Sequence, residues 1–181
     1  MKKIFFIITI LMVLTACSTA KKAGSSRIEI RNKKALAEQV IVKKAVETRR
    51  FIVKLDRIYP FRGGFVDLVP RENFIIVDGK TAVISVPYMG RQFNYRPIAG
   101  ITMRGETDRF EMSGDSTKGK YEIQMNVIRG GDSFNVFLTI GKNGSCSASL
   151  SGIRIDNVRY TGNLVPLNER KPDNPAEGII I

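Results

Sequence analysis

The strongest constraint on this chain is the alternation of apolar and polar residues in short runs divided by turn signals. "RFIVKLD" places Phe51, Val53 and Leu55 on one side, "YEIQMNV" does the same with Tyr121, Ile123, Met125 and Val127, and "FNVFLTI" with Phe134, Val136, Leu138 and Ile140. A repeat of two belongs to a strand with one buried face, because successive side chains on an extended backbone point to opposite sides. Asp78-Gly79 separates "NFIIV" from "KTAVISV", Gly130-Gly131-Asp132 separates "MNVIR" from "SFNVFLTI", and Asn143-Gly144 separates "FLTIGK" from "SCSASL". Links this short join only antiparallel neighbours, since a parallel pair needs a long crossover. The pattern therefore predicts a meander of about seven to nine strands, curled into an open barrel or a sandwich, with no strand–helix alternation.

One stretch before the strands has a different period. "NKKALAEQVIVKKAVETRR" carries Leu36, Ala37, Val40, Ile41 and Ala45 at helical spacing, with Lys33, Lys34, Lys43, Lys44 and Glu47 elsewhere on the wheel. With Asn32 as N-cap, this predicts one amphipathic helix over about 33–48, packed on the sheet. The fold class is α+β, mainly antiparallel β. Residues 32–163 form a single domain, preceded by a polar tether from 18 to about 31. The end, "VPLNERKPDNPAEGIII", has three prolines and little periodicity, so residues 164–181 read as an extended tail whose Ile179–Ile181 can pair with a free edge.

The chain opens with Lys2 and Lys3 and then the apolar run Ile4–Leu14, broken only by Thr9. A helix crossing a hydrocarbon core of about 30 Å needs some twenty such residues, so this run is a secretory signal and not a span. It ends in Leu14-Thr15-Ala16-Cys17, which resembles a bacterial lipobox. In that reading residues 1–16 are removed, and the Cys17 thiol takes a diacylglycerol and begins the mature chain. Cleavage at Ser18-Thr19-Ala20 is the competing reading; it would discard Cys17 and release a soluble protein. If Cys17 carries lipid, Cys146 is the one remaining thiol of the two cysteines, and no internal disulfide can form. Alternation puts Cys146 beside Ala148 and Leu150, as a buried structural residue.

Removing the signal's two lysines lowers the net charge from +12 to +10. Between Ser18 and Arg62 stand 13 basic against 4 acidic residues, and from Gly63 onward 14 against 13, so the excess lies next to the anchor. Such a basic tether can hold to anionic lipid head groups or acidic envelope glycans, at about 1 kcal/mol per residue near the surface. Equally, the same lysines and arginines can simply solvate a linker and a helix face. Nucleic acid fits poorly as a partner and none is expected, because a secreted lipoprotein rarely meets DNA and the basic stretch lacks the interleaved aromatics of RNA readers.

Most catalytic chemistry is excluded as well. The chain has no histidine, which removes His-based triads, Cys–His pairs and His-ligated zinc, and no cofactor or metal is expected. Ser18-Thr19-Ala20-Lys21 spells S-x-x-K but sits in the tether without an S-D-N partner. Gly79-Lys80-Thr81 would need a glycine where Phe74 stands to be a phosphate loop. Pairs drawn from Glu106, Asp108 and Glu111 lie in a polar, turn-like stretch and read as solvated charges. One candidate binding segment remains: "PYMGRQFNYRP" sets Tyr88, Phe93 and Tyr95 among Arg91, Gln92, Asn94 and Arg96 in a loop leaving a strand. Aromatics beside donors suit a glycan or peptide site; the alternative is that the tyrosines cap the open end of the sheet while the arginines face water. Tyr59, Phe61 and Arg62 extend either one.

The lipobox, the basic tether, the helix and then "RFIVKLDRIYP", "NFIIVDG", "VPYMGRQFNY" and "SGIRIDNVRYTGNL" resemble, in order, a family of small envelope lipoproteins of Bacteroides-type bacteria, catalogued as a domain of unknown function, number four-two-five-one. Its most specific points are Pro87-Tyr88-x-Gly90 and Tyr160-x-Gly162, with Val86 and Met89 where members commonly have Leu and Phe. The resemblance covers most of residues 1–163 and implies an address and a shape but no activity. In those bacteria an acidic run after the lipidated cysteine tends to mark export to the surface. Ser18–Lys22 lacks one, which implies the periplasmic face of the outer membrane. Asp115-Ser116-Thr117 also resembles their short O-glycosylation motif, or is a plain loop. The expectation is a lipid-anchored, non-enzymatic binding or accessory module for an envelope glycan or peptide. The alternatives are an assembly partner of another envelope protein and, last, a carboxylate-only hydrolase. Mass spectrometry of the mature N-terminal peptide should find Cys17 diacylated, and Cys17→Ser should release the chain from membranes; unmodified Cys17, or a chain starting at Lys21, would overturn the anchor.

Overall fold

Alternation and turns resolve into nine strands in the computed structural model, which describes residues 20–90, 100–115, 119–153 and 155–167. They are β1 (Arg50–Tyr59), β2 (Val66–Asp67), β3 (Phe74–Asp78), β4 (Thr81–Pro87), β5 (Gly100–Asp115), β6 (Lys120–Arg129), β7 (Asp132–Ile140), β8 (Ser145–Gly152) and β9 (Ile155–Pro166). The three turn signals act as hairpins. Asp78 faces Thr81 across Gly79, Arg129 faces Asp132 across Gly130-Gly131, and Ile140 faces Cys146 across a loop holding Asn143-Gly144. Gly79, Gly130 and Gly144 adopt φ of 61°, 58° and 82°, the left-handed region that favours glycine.

Every strand pairs antiparallel with its neighbour in the order β1-β3-β4-β5-β6-β7-β8-β9, and β9 pairs back onto β1. The open barrel or sandwich expected from the sequence is thus a closed eight-stranded barrel, with the two-residue β2 added on the edge of β1. Eight strands enclose a lumen about as wide as the side chains that fill it. The inward positions Phe51, Val53, Leu55, Ile84, Ile123, Met125, Leu138, Ile140, Leu150 and Tyr160 are all at most 1% exposed and belong to one core cluster. Cys146 lies among them with Ala148 and Leu150, as its phase predicts. A smaller cluster of Ile52, Phe74 and Ile76, with Val83 and Leu167 against it, sits on the outward face. It explains why "FIV" and "FIIV" are apolar at consecutive positions instead of alternating.

The helix α1 runs Ala20–Glu47, longer than the expected 33–48. Residues 20–31, read as a tether, are helical, and Asn32 lies inside the helix instead of capping it. The first proline of the chain is Pro60, so nothing upstream forces a stop, and Lys33 reaches Glu29 at 3.0 Å one turn away. At the other end Thr48 Oγ1 donates to Lys44 O at 2.8 Å, and Arg49 turns the chain with φ of 53°. The buried face shares Ala45 with the expected one and otherwise differs. Val42, Ala45 and Val46 are at most 4% exposed and join the barrel core, whereas Leu36, Val40 and Ile41 are 62%, 66% and 50% exposed. Apolar residues occupy more than one side of this helix, so spacing alone could not choose between them.

β5 corrects a second reading. Glu106, Asp108 and Glu111 lie in a continuous 16-residue strand, not in a turn. Ile101 and Met103 face the core in period two, and a bulge between Asp108 and Glu111, with Arg109 at φ of 50°, takes up the irregularity that read as a loop. The first part of β5 pairs with β4 (Gly100–Glu106) and the remainder with β6 (Glu106–Asp115), so each end of the strand overhangs one neighbour.

Closure rests on the β1–β9 seam, whose register runs from Phe51 opposite Pro166 to Tyr59 opposite Arg159, with a shift between Leu55 and Arg57. Gly162 stands at that shift. A Cβ there would overlap the carbonyl oxygen of Lys54 and come within 2.8 Å of the Leu55 Cα, both of them backbone atoms. Gly162→Ala should therefore lower stability by about 3 kcal/mol, read as an earlier urea midpoint; an unchanged midpoint would mean that the seam does not close this tightly.

Candidate functional site

The two ends of the barrel are built differently. At one end Val42, Ala45 and Val46 of α1 join the core, beside the turns joining β3 to β4, β5 to β6 and β7 to β8. The other end receives the β4–β5, β6–β7 and β8–β9 links, and there a set of tyrosines ties β4 to β9. Tyr160 Oη donates to Pro87 O at 2.8 Å. Tyr88 Oη accepts from the Asp156 N–H at 2.9 Å. A Cβ on Gly90 would press on the Tyr88 ring and on Val158, so glycine lets the chain pass over both. The Arg159 guanidinium lies over the Tyr59 ring, 4.3 Å from its centroid. Pro87-Tyr88-x-Gly90 and Tyr160-x-Gly162, 70 residues apart in sequence, thus meet at one place.

Of the candidate residues named from sequence, Tyr88 is 5% exposed and held by this network. Arg91, Phe93, Tyr95 and Arg96 lie outside the described residues, as do Cys17 and Ser116-Thr117. Glu106, Asp108 and Glu111 are all exposed. Glu106 and Asp108 line a concavity of ≈ 680 Å³ on the barrel wall with Thr81, Arg104 and Ile128. Among the described residues, no group of three Cys, Asp or Glu side chains is placed to hold a metal ion, and no helix is long and apolar enough to cross a membrane.

A concavity of ≈ 490 Å³ opens at the tyrosine end. Its apolar floor is Ile101, Met103, Phe134 and Ile155, and its rim carries Arg129 and Asp132, which face each other across the Gly130-Gly131 turn. Ser133 forms part of the wall and donates through Oγ to Asn126 Oδ1 at 2.8 Å. Sequence reading did not single out any of these residues as a site. The signal was there in phase: Arg129 continues the inward row Ile123, Met125, Val127, and Asp132 precedes the inward row Phe134, Val136, Leu138. A charge in phase with a core row, at a hairpin, marks the place where the row leaves the core and meets water.

Burial also sets the proton chemistry of this end. It pushes the Tyr160 hydroxyl well above its ordinary value, with the Tyr88 hydroxyl adding to the effect. Tyr88 is raised by burial too, partly offset by the Asp156 backbone hydrogen bond. In the lumen, burial pushes the Cys146 thiol up to about 12, which leaves it protonated and inert as a nucleophile. At the edge, Arg57 donates through Nε to Asp67 Oδ1 at 3.0 Å; that hydrogen bond raises its pKa and fastens β2.

Fold and site together define a class: an up-and-down antiparallel β-barrel with a filled lumen, a helix at one end and a small mouth at the other. The chain belongs to the family described as Domain of unknown function (DUF4251), whose model matches residues 33–164. Residues 1–18 match a prokaryotic membrane lipoprotein lipid attachment site, so the protein is lipid-anchored at a membrane. The chain is similar in fold to the crystal structure of a DUF4251 family protein from Bacteroides eggerthii, with a TM-score of 0.65 at 17% identity, covering 80% of this chain and 96% of that one. No curated protein matches it.

The raised groups fix a pH dependence. Cys146, Tyr88 and Tyr160 hold their protons more tightly in the folded chain than in the unfolded one, so stability is fully present below their ordinary values and falls as pH rises past them. Urea midpoints should stay level up to pH about 9, then decline as Cys146 contributes a loss on the order of 4 kcal/mol toward pH 12. Cys146→Ala should remove the portion that begins near pH 9 and leave the tyrosine portion that begins near 10.

Proposed function

We propose that the protein is a non-enzymatic binding or accessory module of the cell envelope. In this reading it is held by its lipid on the periplasmic face of the outer membrane and receives an envelope glycan or peptide at the barrel mouth. The observation that carries it is the asymmetry of the barrel: the lumen is filled, α1 packs at one end, and the remaining end offers a concavity with an apolar floor and a charged rim. Mouths of β-barrels are common ligand seats for this reason. A hydrolase reading has less support, since glycoside hydrolysis needs two carboxyl groups and Asp132 is the one acid among the described residues lining the mouth. Lys21, Lys22, Arg27 and Arg31 close behind the anchor support attraction to anionic lipid head groups.

A specific feature favours assembly with another envelope protein as the second reading. Phe61, Phe65, Val66 and Val69 are 54%, 56%, 40% and 56% exposed within nine residues, although Phe65 also stacks under Arg57 at 4.1 Å. Crosslinking in cells separates the two: a stoichiometric protein adduct through this loop, insensitive to changes at the mouth, favours assembly. For the leading reading, protein beginning at Ser18 should retain fragments from an envelope digest. Phe134→Ala should weaken that retention by about tenfold or more at a temperature where the variant is still folded, its urea midpoint falling because Phe134 also packs against the core. No retention by the unaltered protein, or equal retention by the variant, would refute the mouth as a ligand seat. Arg91→Ala and Arg96→Ala test the sequence-based segment in the same assay.

A further inference from the structure

We infer that the ligand of this mouth is an extended peptide, added as a strand to the overhanging edge of β5; the inference rests on the binding reading above and narrows it to one ligand class. The key observation is the staggered pairing of β5. Gly100–Glu106 pairs with β4, but pairing with β6 starts only at Glu106 opposite Ile128. At Gly105 the Ile128 backbone of β6 already lies close, so along Gly100–Arg104 no described strand lies against the edge of β5 that faces away from β4.

The direction of the backbone groups on that edge follows from the ladder. Thr107 N–H donates to Lys80 O at 2.8 Å, which places residue 107 with its hydrogen bonds toward the β3–β4 hairpin. Direction alternates along an antiparallel strand, so Gly105, Met103 and Ile101 also bond toward β4. Gly100, Thr102 and Arg104 then aim their N–H and C=O groups at the side where no described strand lies. That side is the slot whose far wall is the Arg129–Phe134 hairpin. A strand added there would stand about 4.8 Å from β5, and the five residues Gly100–Arg104 would match a peptide about 17 Å long.

The floor suits the side chains of such a strand. The inward faces of neighbouring strands are continuous, so alternate peptide side chains would fall on Ile101, Met103, Phe134 and Ile155. Arg129 and Asp132 make the rim of the slot polar beside this apolar floor. Glycan recognition, by contrast, draws on flat aromatic platforms, and among the described lining residues Phe134 is the one aromatic. A ladder of backbone donors and acceptors beside an apolar floor is the chemistry of strand addition, in which main-chain bonds supply affinity and alternate pockets supply selectivity.

The test uses protein beginning at Ser18, a random heptapeptide display library, and in parallel soluble peptide-free glycan fragments. Thr102→Pro removes one outward N–H without taking a bond from the β4 ladder, a change that a strand edge tolerates. Enriched peptides should show alternating apolar residues, and Thr102→Pro should weaken them by about tenfold or more at an unchanged urea midpoint. If that variant folds poorly, N-methylation of alternate amides in the synthetic peptide makes the same measurement on the ligand, with the same loss expected. Peptide binding indifferent to both changes, or glycan binding without peptide binding, overturns strand addition; the mouth stands as a ligand seat in either case if Phe134→Ala abolishes the binding. Binding of neither probe overturns both readings.

Discussion

Everything in the barrel depends on the seam between its first and last strands. A meander of eight antiparallel strands has two free edges, and a free edge carries unpaired backbone groups that either bond to another chain or lose their bonds. Pairing β1 with β9 removes both edges at once, and it works because Gly162 lets the two backbones approach at the register shift beside Leu55. The tyrosine network fastens the neighbouring stretch of the same strand, with Tyr160 on Pro87 and Asp156 on Tyr88. The two motifs that carry the family resemblance are thus structural parts of one fastening, which is a physical reason for those residue types at those places.

On the binding reading proposed above, the filled lumen decides where recognition can occur. Phe51, Leu55, Met125, Leu138 and Tyr160 leave the interior no space for a ligand, in contrast to wider barrels that enclose one. What remains is the margin where strands of unequal length overhang one another. β5 is longer than either neighbour's share of it, and the concavity lies beside the overhang. Stagger is a geometric requirement for closing any sheet into a barrel, so the same constraint that shuts the ring leaves the first residues of β5 without a described strand on the side away from β4.

The legible parts of this fold were those governed by local periodicity. Inward Phe51, Tyr121, Phe134 and Cys146 follow from alternation alone, and the three hairpins from glycines able to take positive φ. The parts that could not be read depend on long-range geometry. Nothing local tells residue 55 that it will face residue 162, so a closed ring looked the same as an open one. α1 has apolar residues on several sides, and only the barrel end chose Val42, Ala45 and Val46 over Leu36, Val40 and Ile41. β5 looked like a turn because outward charges and a bulge outweigh Ile101, Met103 and Phe110, its apolar residues on the core. The candidate segment beginning at Tyr88 was found by composition, and Tyr88 itself proved to be part of the fastening. The concavity went unnoticed because Arg129 and Asp132 become a rim only when the hairpin ends beside β5.

The seam also has a kinetic meaning. The residues that must meet, 51–59 with 159–166, are separated by about a hundred others, so the ring is complete only after nearly the whole chain is available. Contacts of such separation form late, because the entropy of closing the loop must be met before they contribute. In a chain that opens with a lipoprotein attachment site, a ring of this kind cannot close until its last strand is present, so closure is an event of the whole chain and not of any part of it.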